Sequence, residues 1–477
     1  TTQSTGPSCI FSTPATYTDA KMWVLGNADG DMDIDANDIT VIDANIGKDV
    51  KTAPMCDANH DNAITAEDKT FVQSMIDGTA THVYYYNVDG KICDFKIYKN
   101  INMVALHRCV VRSTTILANS GDNVKLVGMD SGPYKEAEFG VSKGIYGSIE
   151  DVGVLKDLSS ENFGTLQSKY MNDPDTCLVI CLGTVNNYLT DLESWAAVKD
   201  YQVVRFGTWE GSTIEGLLTT GYLFSGVGNP ATGGTCWDQA LAYGTWAHKY
   251  LDLITAESSK IAEKDRLKAL CIYTNGDHWK RDGHTTRGIG SGDMENTVLA
   301  GANNIAARFG TSSGVTFSME EAATYCKDVD VIISMTFNSY TAPDAKVSEE
   351  IKSAYDIFNG YVQKDCKFYG MTWALNGAPY IVQMLYYAQV FMPNSTALSA
   401  YAMEQVYGEY LKLMGWDART DISFDISNVC SPVDKPMVFD KDPNGDDGFD
   451  IDMKYIAIGA VAILAILGVA IFIVKKH

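Results

Sequence analysis

Residues 236–264 (CWDQALAYGTWAHKYLDLITAESSKIAEK) carry apolar side chains at helical spacing for nearly thirty residues, with no Gly or Pro after Gly244. That predicts one helix well beyond the usual length for a layered domain. On either side of it, strand-length apolar or β-branched runs alternate with helical stretches. The runs are 124–129, 177–182 and 202–206 before the helix, and 269–273, 329–334 and 367–373 after it. Such alternation implies parallel sheets covered by helices on both faces. Two α/β halves of comparable size, 82–231 and 269–432, are therefore expected, with the connecting helix inside 232–268.

The 477 residues are enough for two to four domains, and 46% hydrophobic residues exclude wholesale disorder. A net charge of −23 argues against nucleic-acid binding, which wants a basic face. The 11 cysteines are scattered and form no CxxC pair. Neither a zinc framework nor a disulfide scaffold is legible in them. Cys177 and Cys181 lie in an apolar run and read as small core hydrophobes. No HExxH or P-loop appears, and a non-enzymatic protein is expected.

The two ends place the chain. Residues 455–474 (YIAIGAVAILAILGVAIFIV) are free of charge, enough to span roughly 30 Å of hydrocarbon as a helix. Lys475, Lys476 and His477 follow, and Asp440, Asp442, Asp446, Asp447, Asp450 and Asp452 precede. The positive-inside rule then puts the C-terminus in the cytoplasm and the bulk of the chain outside. Residues 433–454 read as an acidic tether. The chain opens at Thr1 with no charged-then-apolar leader, read as a processed export form, and 1–22 as an N-terminal extension.

Near the other end one twelve-residue pattern occurs twice, 30 residues apart. The first copy sets Asn27, Asp29, Asp31, Asp35 and Asp38 at positions 1, 3, 5, 9 and 12. The second sets Asp57, Asn59, Asp61, Thr65 and Asp68 at the same positions. Hard oxygens at this spacing, with backbone carbonyls of Asp33 and Ala63 at position 7, suit Ca²⁺, and a helix follows each loop. Residues 23–80 resemble the dockerin module, in which two such loop-helix repeats pack together. Two calcium ions are the cofactors this implies. The departures are Asn27 at position 1, and Met32 and Asn62 where an EF-hand has Gly. Left-handed backbone at position 6 would suit Met32 poorly.

The body resembles the class III solute-binding proteins of ABC importers. The resemblance rests on an ordered set of blocks: Val88-Asp-Gly-Lys91 before a strand; residues 102–109 (NMVALHRC), then 113–118 and 124–129; Val152-Gly153 with 159–162 and Asp173-Pro-Asp175; then 296–308 (NTVLAGANNIAAR), 318–321 and 328–333. It implies two Rossmann-like lobes joined by a long helix. Added to these are the small all-α dockerin-like module and one transmembrane helix. It also implies capture of a metal chelate (iron-siderophore, corrinoid or haem) for an ABC permease, as in archaeal members tethered to the membrane.

In open α/β sheets a ligand sits beyond the carboxyl ends of the strands. Reading off each strand end gives His107 and Arg108, Asp130 and Tyr134, then Trp209 and Glu210 in the first lobe. The second lobe offers His278 and Trp279, Phe337 and Asn338, and Trp373. Aromatic planes with a few cations suit a planar, negatively charged chelate. A bare metal ion is a poorer match. Of seven His, His60, His82 and His477 lie outside the lobes and His248 is on the connecting helix. The competing reading is a structural or adhesive surface protein, a layer or filament subunit reusing the fold. A cohesin-like or neighbouring surface protein is a further partner that either reading accommodates.

Overall fold

A computed structural model describes residues 22–120, 123–135, 149–183, 189–207, 213–225, 235–274, 284–287, 292–309, 314–336, 352, 354–356, 358, 360–362, 365–417 and 426–437. The span expected over 455–474 lies outside them. Among the described residues no helix is long and apolar enough to cross a membrane.

The described residues open with two loop-helix units, ending in α1 (Ala36–Asp43) and α2 (Ala66–Ile76). Each helix starts at a capping box, Asp35 with Asp38 and Thr65 with Asp68. An antiparallel hairpin follows, β1 (His82–Tyr86) with β2 (Ile92–Lys96). Its turn holds Gly90 at φ +71°, and the Asn87 side-chain oxygen accepts from the N–H groups of Asp89 and Lys91.

The first lobe is a fully parallel sheet of β3 (Asn100–Ala105), β4 (Val124–Met129), β5 (Glu150–Asp151), β6 (Thr176–Leu182) and β7 (Gln202–Arg205). Its order is β5-β4-β3-β6-β7, so the winding reverses between β3 and β6. Every residue of β6 is buried. Cys177, Val179 and Cys181 face the main core, whereas Leu178, Ile180 and Leu182 face a second cluster with Phe163 and Tyr201. Burial of both faces is what the continuous apolar runs demanded. Burial also pushes the Cys177 thiol up to about 11, in keeping with an inert core cysteine.

The helices of this lobe are α3 (Arg108–Ala118), α4 (Ser131–Lys135), α5 (Ser160–Tyr170), α6 (Leu192–Lys199) and α7 (Thr213–Phe224). The connecting helix α8 runs Thr235–Ser258. It stops before the expected Lys264. Ser258 and Ser259 are weak helix formers, and the Arg266 guanidinium takes over the carbonyls of Ser258, Ile261 and Val298.

The second lobe is mixed rather than purely parallel. The strands β8 (Lys268–Thr274), β12 (Val331–Thr336) and β13 (Lys367–Thr372) run parallel, and β10 (Asn303–Asn304) joins β8. Two antiparallel strands, β9 (His284–Arg287) and β11 (Gly314–Phe317), extend the edge and were not among the expected runs. A fully buried helix, Tyr380–Phe391, backs the sheet.

Residues 22–437 form one compact unit. A single apolar cluster runs from Val24, Ile42 and Val72 of the loop-helix units through Phe224 and Trp237 to Tyr386 and Trp416 of the second lobe. The loop-helix units thus share the core of the lobes.

Candidate functional site

The winding of the first sheet reverses beside β3, and there its carboxyl end delivers Leu106 and His107. The Leu106 N–H is tied to the Cys181 carbonyl of β6 at 3.0 Å. A crevice outside the strand ends at such a reversal is where open α/β sheets bind ligands.

His107 caps α3 with its backbone at φ +85°, an uncommon conformation for a side chain of this kind. The conformation is held by Asp130, at the end of β4, whose carboxylate accepts the His107 N–H at 2.6 Å and the Gly132 N–H at 3.3 Å. The His107 Nδ1 accepts from the Cys109 N–H at 3.3 Å, which leaves the ring proton on Nε2. Burial, with Arg108 and Arg112 close by, pushes His107 down to about 3. The imidazole is therefore neutral at physiological pH. Burial pushes the Asp130 carboxyl up, against the pull of the N–H donors and Arg108.

The second lobe meets this corner through Trp373, at the end of β13. The His107 and Trp373 rings are 6.0 Å apart and near perpendicular, and the Arg108 guanidinium lies 5.3 Å from the Trp373 ring centroid. Carboxyl ends of the two sheets thus face one another, as expected. Sequence reasoning missed Arg112. It is 1% exposed and donates through Nη1 to the carbonyls of Asn376 (2.9 Å) and Trp373 (3.3 Å). An arginine set between Val110, Val111, Ile116 and Leu117 in the helix was the available signal.

Of the expected cleft residues, the structure brings together His107, Arg108, Asp130 and Trp373. Tyr134 is half-buried in the next turn, its N–H on the Asp130 carbonyl at 3.1 Å. Trp209, Glu210, His278, Trp279, Phe337 and Asn338 lie outside the described residues. The backbone leading to Trp209 is nonetheless constrained. A Cβ on Gly216 of α7 would stand 2.7 Å from the Gly207 nitrogen, so only glycine permits this approach. Buried Arg205 donates to the carbonyls of Gly183 and Leu189 and pairs with Glu193.

The two twelve-residue loops repeat one hydrogen-bond pattern. The N–H at position 9 meets the position-12 carboxylate at 2.7 Å in both, Asp35 on Asp38 and Thr65 on Asp68. The N–H at position 7 meets the position-5 carboxylate at 2.9 Å in both, Asp33 on Asp31 and Ala63 on Asp61. Position 4 is left-handed in both loops (Gly30 at +79°, His60 at +55°); position 6 is left-handed in the second loop only (Asn62 at +71°), and Met32 in the first escapes the expected strain. The loops differ at position 1. Asp57 accepts from the N–H groups of Asp61 and Asn62. Asn27 instead donates Nδ2 to the Met22 and Asp31 carbonyls, and its Oδ1 is buried without a hydrogen-bond partner. Burial pushes Asp38 up to about 7, and burial with Asp31 and Asp35 nearby lifts Asp33 to about 6. A cation would relieve such crowding. Among the described residues no group of three or more His, Cys, Asp or Glu is arranged to hold a metal ion. The expected sets also draw on Asn27, Asn59, Thr65 and two backbone carbonyls.

Two stretches match Gly-x-Ser-x-Gly spacing, residues 140–144 and 310–314. The first lies outside the described residues. Of the second only Gly314, the first residue of strand β11, is described.

No protein-family model and no curated protein matches the chain. Among solved structures it is similar to an ABC transporter solute binding protein from Sulfurospirillum deleyianum. The two are 17% identical over 70% of this chain and 95% of that one, with a TM-score of 0.46. It is also similar to the TroA-like periplasmic binding protein FepB from Veillonella parvula (14%, 69% and 95%, 0.48). A third is the molybdate periplasmic binding protein MolA of Haemophilus influenzae (14%, 69% and 97%, 0.49). Each of the three is described as a binding protein.

Proposed function

We propose that this chain is a non-enzymatic solute-binding protein that captures a metal chelate between its lobes and delivers it to an ABC permease. The observation that carries the reading is the seam where Arg108 of one lobe lies over Trp373 of the other, beside the strained His107. An aromatic plane with a cation and a neutral N–H donor suits a flat, negatively charged ligand such as an iron-siderophore, corrinoid or haem. Residues 455–474 tether it, with the body outside and the C-terminus in the cytoplasm. Two Ca²⁺ ions occupy the loops, with the donors named for each in the sequence. The repeated hydrogen-bond pattern and the unpartnered Asn27 oxygen support that placement. When bound, calcium supplies neutralisation of the loop carboxylates.

A surface-assembly role is the second reading. It draws on Arg112, which fills part of the seam and leaves the lobes locked there. Native mass spectrometry of protein purified without denaturant tests the choice. A co-purifying mass that carries a transition metal supports capture. Empty protein in large homo-oligomers supports assembly.

A further inference from the structure

The two loops lean on different parts of the molecule. Loop 2 and its helix rest on the hairpin, with His60 and Phe71 against Tyr84 at 5.2 and 6.3 Å. Loop 1 rests on the helix pair α7–α8. The Met32 sulfur lies 3.7 Å from where a Cβ on Gly244 of α8 would stand, alongside Leu218 and Ile214 of α7. Just before the loop, the Trp23 N–H donates to Thr219 Oγ1 of α7 at 2.8 Å. That segment is tied back to the loop, since the Asp31 carbonyl accepts from the Met22 N–H and Asn27 Nδ2. Asn27 and Asp31 are two of the proposed calcium donors. Any ordering of loop 1 by a cation is thereby transmitted to Met22, Trp23 and Met32, and through them to the helix that joins the lobes.

We infer that loop 1 is a calcium-dependent brace on the interlobe helix pair, acting within its own chain, whereas loop 2 stabilises only its own unit and the hairpin. This rests on the calcium reading above. Coupling of this kind is reciprocal, so the factor by which calcium at loop 1 changes ligand affinity between the lobes is the factor by which ligand changes calcium affinity.

Hydrogen exchange on the whole chain, in calcium and after chelation, tests it, with calcium uptake measured in parallel by calorimetry. Chelation is expected to speed exchange of α7 and α8 amides roughly fivefold or more. Asp29→Ala, in loop 1, is expected to reproduce that effect. Asp61→Ala, in loop 2, is expected to lose one calcium and leave the α7–α8 response intact. Met32→Ala is expected to keep both calcium ions and blunt the response, because the contact and not the metal is removed. Uptake at loop 1 with unchanged α7–α8 exchange would overturn the brace alone. An equal effect of Asp61→Ala would overturn its assignment to loop 1. Absence of any calcium uptake would overturn both the sites and the brace.

Discussion

The guanidinium of Arg108 lies over the indole of Trp373, 5.3 Å from the ring centroid, and the two residues belong to different lobes. On the proposed reading a ligand entering between the lobes would meet this pair. Trp373→Ala is expected to weaken chelate binding by about 2 kcal/mol, roughly thirtyfold. Arg108→Lys keeps the charge but loses the planar fork and is expected to weaken binding less. Titration of both variants against wild type checks the order.

Arg112 holds the same seam from inside. Arg112→Lys loses the fork that reaches the Trp373 and Asn376 carbonyls and leaves buried acceptors short of a donor. A loss of about 1–3 kcal/mol in stability is expected from urea unfolding. An unchanged midpoint would show that the carbonyls find other donors.

His107 predicts a pH dependence. Its folded value, about 3, lies below the usual 6.5, so between these the unfolded chain binds the proton and the folded chain does not. Its contribution is present in full above about pH 6.5 and is lost as pH falls toward about 3. Asn at this position tolerates positive φ and keeps a capping oxygen. His107→Asn is therefore expected to flatten the fall in melting temperature across that window. A fall as steep as in wild type would contradict it.

Truncation after Asp440 is expected to release a soluble body that still binds ligand, because residues 22–437 form one compact unit. Fractionation after a salt wash checks this. Truncated protein that stays with the membranes would place the anchor elsewhere.

Much of this architecture was legible because burial on both faces of a sheet leaves continuous apolar runs. The run 177–182 sits within β6, and 367–373 reaches one residue beyond β13. The rule that ligands lie beyond carboxyl ends pointed to His107, Arg108, Asp130 and Trp373, which the structure brings to one corner. The strands β9 and β11 were missed, since polar stretches such as His284–Arg287 carry no apolar run when they only extend a sheet edge. Arg112 was missed because a buried arginine is satisfied by carbonyls distant in sequence, at Trp373 and Asn376. Which helices the loop-helix units pack on was hidden for a related reason. The approach of Met32 to Gly244 joins residues more than two hundred positions apart, and no local periodicity records it.

The central claim is capture of a metal chelate at the seam of the two lobes. The measurement that bears on it most directly is intrinsic tryptophan fluorescence of the whole chain, titrated with a ferric catecholate siderophore, a corrinoid and haem. Saturable quenching by one of them, weakened in Trp373→Ala, is the predicted result. No quenching by any of the three, or quenching unaffected by Trp373→Ala, would contradict it.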